Sequence, residues 1–362
     1  MPIPESGGAV VEKDLAAALS DTGKAHGYGR EMKAVACKSC GATTNVDPTV
    51  AATECPFCAS PQVLEQKVDP NLIQPESVIP FQLTQDQAYE NYRKWLGKGF
   101  FRPKDVLQSS GASQIHGVYL PFWTFDAHAD SRWTAESGYH YYETEHYTAT
   151  ENGKSVRKTR QVQKTRWQPS SGSHSDNYDD VLVTGSTSGD QGILRAVSKF
   201  ETGKLVAYKP EFLSGWAAEA YRIPLADAWV KGQENIRGDE RGKCARQVPG
   251  DTHRNLNVRT QLSKSTFKHV LLPLFLANYR YNTKLYHFMV NGQTGAVQGQ
   301  APVDWIKVLI VVVIVLAILG VIAYFVLSQQ SSDSSTGLLL LLQQARLWLG
   351  GALAAGPPLL RV

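Results

Sequence analysis

VYLPFWTFDAHADSRWTAESGYHYYETEHYTATENGKSVRKTRQVQKTRWQ, residues 118–168, is the stretch whose reading decides the fold. It is dense in Tyr, Trp, Thr and Val, and polar residues alternate with them. That period of two and that residue choice suit pleated, half-buried strands. Asn152-Gly153, flanked by Glu151 and Lys154, supplies two adjacent positions tolerant of positive φ and predicts a hairpin turn. The second limb carries Lys154, Arg157, Lys158, Arg160, Lys164 and Arg166, facing Glu143, Glu145 and Glu151 on the first. Cross-strand charge pairing accounts for this pattern. The alternative is contact of the basic limb with anionic lipid or another acidic partner.

Outward from this hairpin the pattern is mixed. Residues 63–83 read as a linker carrying Pro70, Pro75 and Pro80. Thr84 then opens a helix as N-cap, with Gln87 placed for a capping box and Gly97 as the stop. Further helices are expected at Asp190–Phe200 and Ser214–Ile236, the second kinked or split at Pro224. Strands are expected at Asn255–Leu262, at Phe267–Leu276, and in YRYNTKLYHFMVNGQTGAVQG, with turns at Asn282-Thr283 and Asn291-Gly292. Val118-Tyr-Leu-Pro121 and Leu271-Leu-Pro-Leu274 each precede an aromatic strand and a hairpin, an echo that points to two related halves. The fold class is therefore α+β, with residues 84–303 as its main body.

The N-terminal side holds VACKSCGATTNVDPTVAATECPFCAS, residues 35–60. Cys37, Cys40, Cys55 and Cys58 form two C-x-x-C pairs separated by fourteen residues. Each pair makes a tight knuckle that aims two sulfurs at one ion, and the intervening chain suffices for a short hairpin. Four thiolates close a tetrahedral Zn²⁺ site with no position left for substrate, so the predicted zinc ribbon, residues 30–62, is structural. Gly41 follows the first pair, where such a knuckle calls for positive φ. A thioredoxin-like redox pair would need one C-x-x-C opening a helix, and Pro56 inside the second pair argues against it. The remaining cysteine, Cys244, sits in a polar, charged stretch and reads as an incidental thiol.

From Val308 to Leu327 the chain reads VLIVVVIVLAILGVIAYFVL, twenty residues without a charge. At about 1.5 Å per residue this matches a bilayer's hydrocarbon thickness of roughly 30 Å. It predicts a transmembrane helix, with Trp305 and Tyr324 near its ends. Lys307, Lys284 and Arg280 precede it, whereas SQQSSDSSTG after it carries only Asp333. The positive-inside rule then places the N-terminal part in the cytoplasm of a single-pass cell-membrane protein. Reduced cysteine pairs call for the same compartment. Residues 1–29 form a polar N-terminus without the basic start and apolar run of a secretory signal. The tail, 328–362, is apolar again from Gly337, but Gln343, Gln344 and Arg346 interrupt it. A mid-helix Arg costs about 2.5–3.5 kcal/mol on insertion, so the tail is read as surface-lying or disordered, with a second span closing a hairpin as the alternative.

Length and composition fit a folded chain: 362 residues, 43% hydrophobic, 19% charged, net charge +4. That charge is too small to imply nucleic acid. Arg30, Lys33 and Lys38 are the only basic residues near the ribbon, and Gly41–Glu54 has none, whereas a nucleic-acid ribbon shows a basic stripe. The sequence holds no G-x-x-x-x-G-K-[ST]; Gly153-Lys154-Ser155 has Thr148 where the first glycine belongs. It also lacks a G-x-S-x-G elbow, H-E-x-x-H, and a helix-opening G-x-G-x-x-G. No residue is assigned a catalytic role.

Taken with Leu120-Pro-Phe-Trp-Thr-Phe-Asp126, Tyr178-Asp-Asp-Val-Leu-Val183, Leu213-Ser-Gly-Trp-Ala-Ala-Glu-Ala-Tyr221 (read as helix) and Asn291-Gly-Gln-Thr-Gly295, the ribbon and membrane segment resemble one bacterial family over residues 30–327. These are the TFIIB-type zinc-ribbon membrane proteins, often titled as relatives of the primosomal replication helicase. The resemblance implies a membrane-docking scaffold acting beside flotillin-like or phage-shock-type proteins. The expected function is a non-enzymatic membrane adaptor; a membrane-tethered nucleic-acid-binding protein is the alternative.

Overall fold

In the computed structural model, residues 11–20, 27–49, 54–69, 72–106, 115–151 and 154–325 are described. In chain order the strands are β1 (Lys13–Asp14), β2 (Lys33–Cys37), β3 (Thr43–Val46), β4 (Val63–Gln66), β5 (Ser77–Val78), β6 (His116–Glu151), β7 (Lys154–Thr184), β8 (Val206–Ala207), β9 (Ala217–Glu219), β10 (Thr252–Tyr281), β11 (Lys284–Asn291) and β12 (Val297–Gly299). The helices are α1 (Leu15–Ser20), α2 (Gln85–Gly97), α3 (Gln191–Val197), α4 (Leu225–Gln247) and α5 (Trp305–Phe325). They fall into two units. One comprises Met1–Lys98 with Asp105–Ala301, the other Gly99–Lys104 with Pro302–Val362.

The first unit is a strand-rich α+β structure whose spine is the antiparallel pair β6–β10, in register from Gly138↔Thr252 to Tyr119↔Pro273. The outer edge of β10 meets β1, β5 and β11 in succession. The outer edge of β6 meets β9 at Val118 and Tyr119, then β7 from Phe122 to the hairpin tip. Both faces of the spine are covered, so its central part is continuously apolar. Leu271 to Ala277 is buried throughout. One face carries Leu120, Phe122, Leu272 and Leu274 against α3. The other carries Trp123, Phe125 and Phe267 against α1 and the start of α4. α2 lies on β11, with Tyr92 stacked 3.6 Å from Phe288.

The long hairpin is confirmed. Glu151 pairs with Lys154, and the turn residues 152–153 lie outside the described set. Charge pairing across it is also found: Arg160 meets Glu145 at 3.0 Å and Lys164 meets Glu143 at 2.5 Å. These pairs are exposed to solvent, which screens them, so they set the register of the arm more than they stabilise it. Beyond Gly138 the hairpin runs on without β10 beside it, as a two-stranded arm of residues 139–151 and 154–166.

Several boundaries differ from the sequence reading. The two strands expected at Asn255–Leu262 and Phe267–Leu276 are one strand, β10. Its pairing slips at bulges between Arg254 and Asn257 and between Ser263 and Thr266, with Asn255 and Lys264 at positive φ. Bulges break the period-two pattern without ending a strand. The segment 214–224 is not helical. Gly215 takes φ +77°, Ala217–Glu219 pairs as β9, and Pro224 is the N-cap of α4 rather than a kink within it. Residues assigned to the linker contain β4, which pairs with β2, and β5, which pairs with β10. The Thr84–Gln87 capping box forms as expected, and α2 ends one residue later, at the Lys98 cap. The two echo segments lie side by side, Leu120 opposite Leu272 and Pro121 opposite Leu271.

In the second unit, α5 is long and apolar enough to cross a membrane, with mean hydropathy 3.3. Residues 326–362, including the end of the expected span and the whole tail, lie outside the described set.

Candidate metal centre

Two local turns of the same design build the cysteine site. In the first, the Gly41 N–H donates to Cys37 O and the Cys37 N–H to Ala42 O, both at 2.9 Å. In the second, the Ala59 N–H donates to Cys55 O and the Cys55 N–H to Ser60 O, again at 2.9 Å. Both turns reverse through a left-handed residue, Gly41 at φ +77° and Ala59 at φ +54°. Gly41 was legible in the sequence; Ala59 was not, because alanine rarely takes that conformation. The Ser39 and Ser60 hydroxyls join the turns at 2.8 Å.

All four predicted ligands converge: the Sγ atoms of Cys37, Cys40, Cys55 and Cys58 lie within 4.8 Å of one another. Cys37 and Cys58 are 3.7 Å apart, Cys40 and Cys55 3.6 Å. A tetrahedron with metal–sulfur bonds of about 2.3 Å has an edge of roughly 3.8 Å, whereas a disulfide brings its sulfurs to about 2.05 Å. The four could hold a metal ion, and a set of four soft sulfurs at this spacing fits a tetrahedral thiophilic cation. Burial resists ionisation of Cys37, but the N–H groups of Cys40 and Ser39 outweigh it and bring that thiol down to about 7. Burial pushes Cys58 up to about 11 and raises Cys55 as well. A bound cation would supply what the protein lacks for four thiolates together.

The site is built into the sheet. β2 pairs with β3 and β4, β3 with β9, and β9 with β6. Cys37, Ala42, Cys55 and Phe57 belong to the same apolar cluster as Leu120 and Leu272. Arg222, which nothing in the sequence singled out, donates from Nη1 to Gly41 O at 2.6 Å. A cavity of about 270 Å³ opens beside the knuckles, lined by Val35, Val63, Val118 and Trp216, with Glu54 and His116 3.4 Å apart among its polar residues.

At the seam between β3 and β9, Glu219 is wholly buried opposite Thr44. Its carboxyl accepts from the Ser188 hydroxyl, and burial raises it to about 7. An acid held neutral in the fold contributes stability below its unfolded pKa, and that contribution is lost as pH rises through its folded one. Glu219→Gln should therefore match the parent near pH 5 and exceed it near pH 8 by roughly 3 kcal/mol, or several degrees of melting temperature. Thermal unfolding of both proteins at the two pH values measures the difference, and metal-ligand titration, common to both, cancels. An equal gap at both values would show that the carboxyl does not titrate in this window.

Among known proteins, the chain is 26% identical over 236 residues to the uncharacterized protein YdjG of Bacillus subtilis. The match covers 65% of this chain and 65% of the length of that relative. The chain matches no protein-family profile and no solved structure.

Proposed function

We propose that this protein is a membrane-anchored zinc-ribbon scaffold that docks a cytoplasmic protein partner. The observation that carries the reading is the fusion of the closed four-cysteine site with the sheet, beside an open apolar cavity. The ion is Zn²⁺, held by Cys37, Cys40, Cys55 and Cys58. A closed tetrathiolate leaves no coordination position for substrate, so the ion's work is to hold the knuckles against the sheet, not catalysis. α5 anchors the chain in the cell membrane as a single span, with the sheet on the cytoplasmic side where Lys307 lies. The family resemblance names the partner class, flotillin-like or phage-shock-type membrane-stress proteins. The side-by-side echo segments are consistent with two related halves in the scaffold.

The test places a photo-crosslinking residue at Gln85 or His116, on the cavity, and at Val230, an exposed position on α4. Adducts with one cytoplasmic protein are expected from the cavity positions and not from Val230. Equal yields at all three sites, or none from the cavity, would remove the cavity as the docking surface. Salt-sensitive nucleic-acid binding by the reconstituted protein would favour the alternative reading, a membrane-tethered nucleic-acid-binding protein.

A further inference from the structure

Residues 99–104, Gly-Phe-Phe-Arg-Pro-Lys, leave the sheet-bearing unit and belong with α5 instead. They are fastened to the first turn of that helix. The Asp304 N–H donates to Phe101 O at 2.7 Å, and Lys307 Nζ donates to Arg102 O at 2.5 Å. Asp304 itself caps α5, accepting from the Ile306 N–H at 3.1 Å. The loop then presents large apolar groups outward. Phe100 is 71% exposed and Phe101 42%, their rings edge-to-face at 5.2 Å. Trp305 and Ile306 beside them on the helix are 76% and 73% exposed.

We infer that Gly99–Lys104 is a second membrane-contacting element, a wedge that seats Phe100 and Phe101 at the headgroup boundary of an anionic bilayer leaflet. The inference rests on the reading of α5 as a membrane span and adds to it. Three observations favour lipid over a protein partner. The aromatic pair is continuous with an apolar helix that has none of its span buried against protein. The exposed Trp305 indole beside the pair is of the amphipathic kind that settles at the membrane–water interface, where exposed Phe side chains insert alongside it. Charge agrees: among the described residues of this unit, Arg102, Lys104 and Lys307 stand with one carboxylate, Asp304, which caps the helix and pairs with Lys307 at 3.7 Å, while the Asp105 that follows Lys104 accepts from the Tyr281 hydroxyl at 3.1 Å. Cations flanking inserted aromatics select anionic headgroups.

The test uses the full chain reconstituted in vesicles of phosphatidylcholine with phosphatidylglycerol. An environment-sensitive dye is attached to a cysteine introduced by Phe100→Cys, and in a second protein by Leu316→Cys, mid-helix. The unsubstituted protein gives the labelling background. For the dye at 100, quenching by spin-labelled lipid should exceed quenching by aqueous iodide about five-fold or more, from a shallow depth. The dye at 316 should be quenched only from the bilayer interior. Arg102→Glu with Lys104→Glu should cut lipid quenching at 100 by about half or more, and the effect should vanish in phosphatidylcholine alone. Iodide quenching at 100 with 316 still deep overturns the wedge and leaves the span standing. Iodide quenching at both sites removes the span reading and the wedge with it. Charge reversal without effect overturns the anionic-headgroup assignment.

Discussion

Replacing Cys37 and Cys40 by Ser is expected to unfold the sheet as well as empty the metal site. The knuckles are not an appended module. Cys37, Cys55 and Phe57 pack in one cluster with Leu120, Phe122, Leu272 and Leu274 on the spine. The strands run without a break from β2 through β3 and β9 to β6. Structural zinc contributes about 10–16 kcal/mol to the folding of small ribbons. A whole domain is stable by only about 5–15 kcal/mol. Even partial transmission of that loss through the shared core is large. The double variant should fail to hold the Zn²⁺ proposed for this site, read with a colorimetric chelator. It should also lose more than about 10 °C of melting temperature in near-UV circular dichroism, to which the buried Trp123 and Trp133 contribute among the chain's eight tryptophans. Those two indoles are buried at 0% and 5% exposure, and Trp133 lies well along β6 from the cysteine knuckles. An unchanged tryptophan transition after zinc loss would show the ribbon to be thermodynamically separate. The same coupling explains why partner capture is better tested at Gln85 and His116 than at the cysteines, where loss of capture would only report unfolding.

What could be read from the residues follows from how local each constraint is. The four-cysteine site is fixed by spacing within two turns, and all four ligands converge as that spacing requires. The apolar run needs only length and the absence of charge. The long hairpin announces itself by alternation and by complementary limbs. What stayed hidden depends on distant partners. Ala217-Ala-Glu219 has helix-forming residues, yet it is a strand because β3 and β6 flank it on both sides. That three-residue bridge joins ribbon to sheet, so the division into ribbon, linker and body was the part least visible. β4 and β5 likewise exist only through pairing with β2 and β10. The bulges of β10 concealed a single strand by interrupting its period.

The helix α4 shows the same limit, and it carries the second large prediction. Its buried positions are Leu225, Ala228, Gly232, Ile236, Glu240 and Cys244, spaced by three and then by fours. That is a proper stripe, but glycine, glutamate and cysteine disguise it among charged neighbours. Cys244, read from sequence as an incidental thiol on a polar stretch, is wholly buried against Trp133 and Ala135. Glu240 is the anchor of the stripe. It is wholly buried and meets three polar groups: the Ser131 hydroxyl donates to it at 2.6 Å, the Tyr178 hydroxyl lies at 2.8 Å from both it and Asp239, and His174 Nδ1 lies at 3.1 Å. One carboxylate therefore ties α4 to β6 and β7 at once. Truncation removes the acceptor they share and opens a void under α4; Ser131 keeps Thr260 and Tyr178 keeps Asp239, each at 2.8 Å, so the loss should be about 2–4 kcal/mol. Glu240→Ala should lower the urea midpoint accordingly with an unchanged slope. Glu240→Gln keeps the volume and one acceptor oxygen. It should lose only about 1–2 kcal/mol, the difference between a charge-assisted and a neutral hydrogen bond. Equal losses in the two variants would assign the effect to the carboxylate charge, which both remove, and not to the side-chain volume that glutamine keeps. A smaller loss in the alanine variant would mean that α4 is held by its apolar positions alone, with Gly232 leaving no room for a side chain against the Phe125 ring.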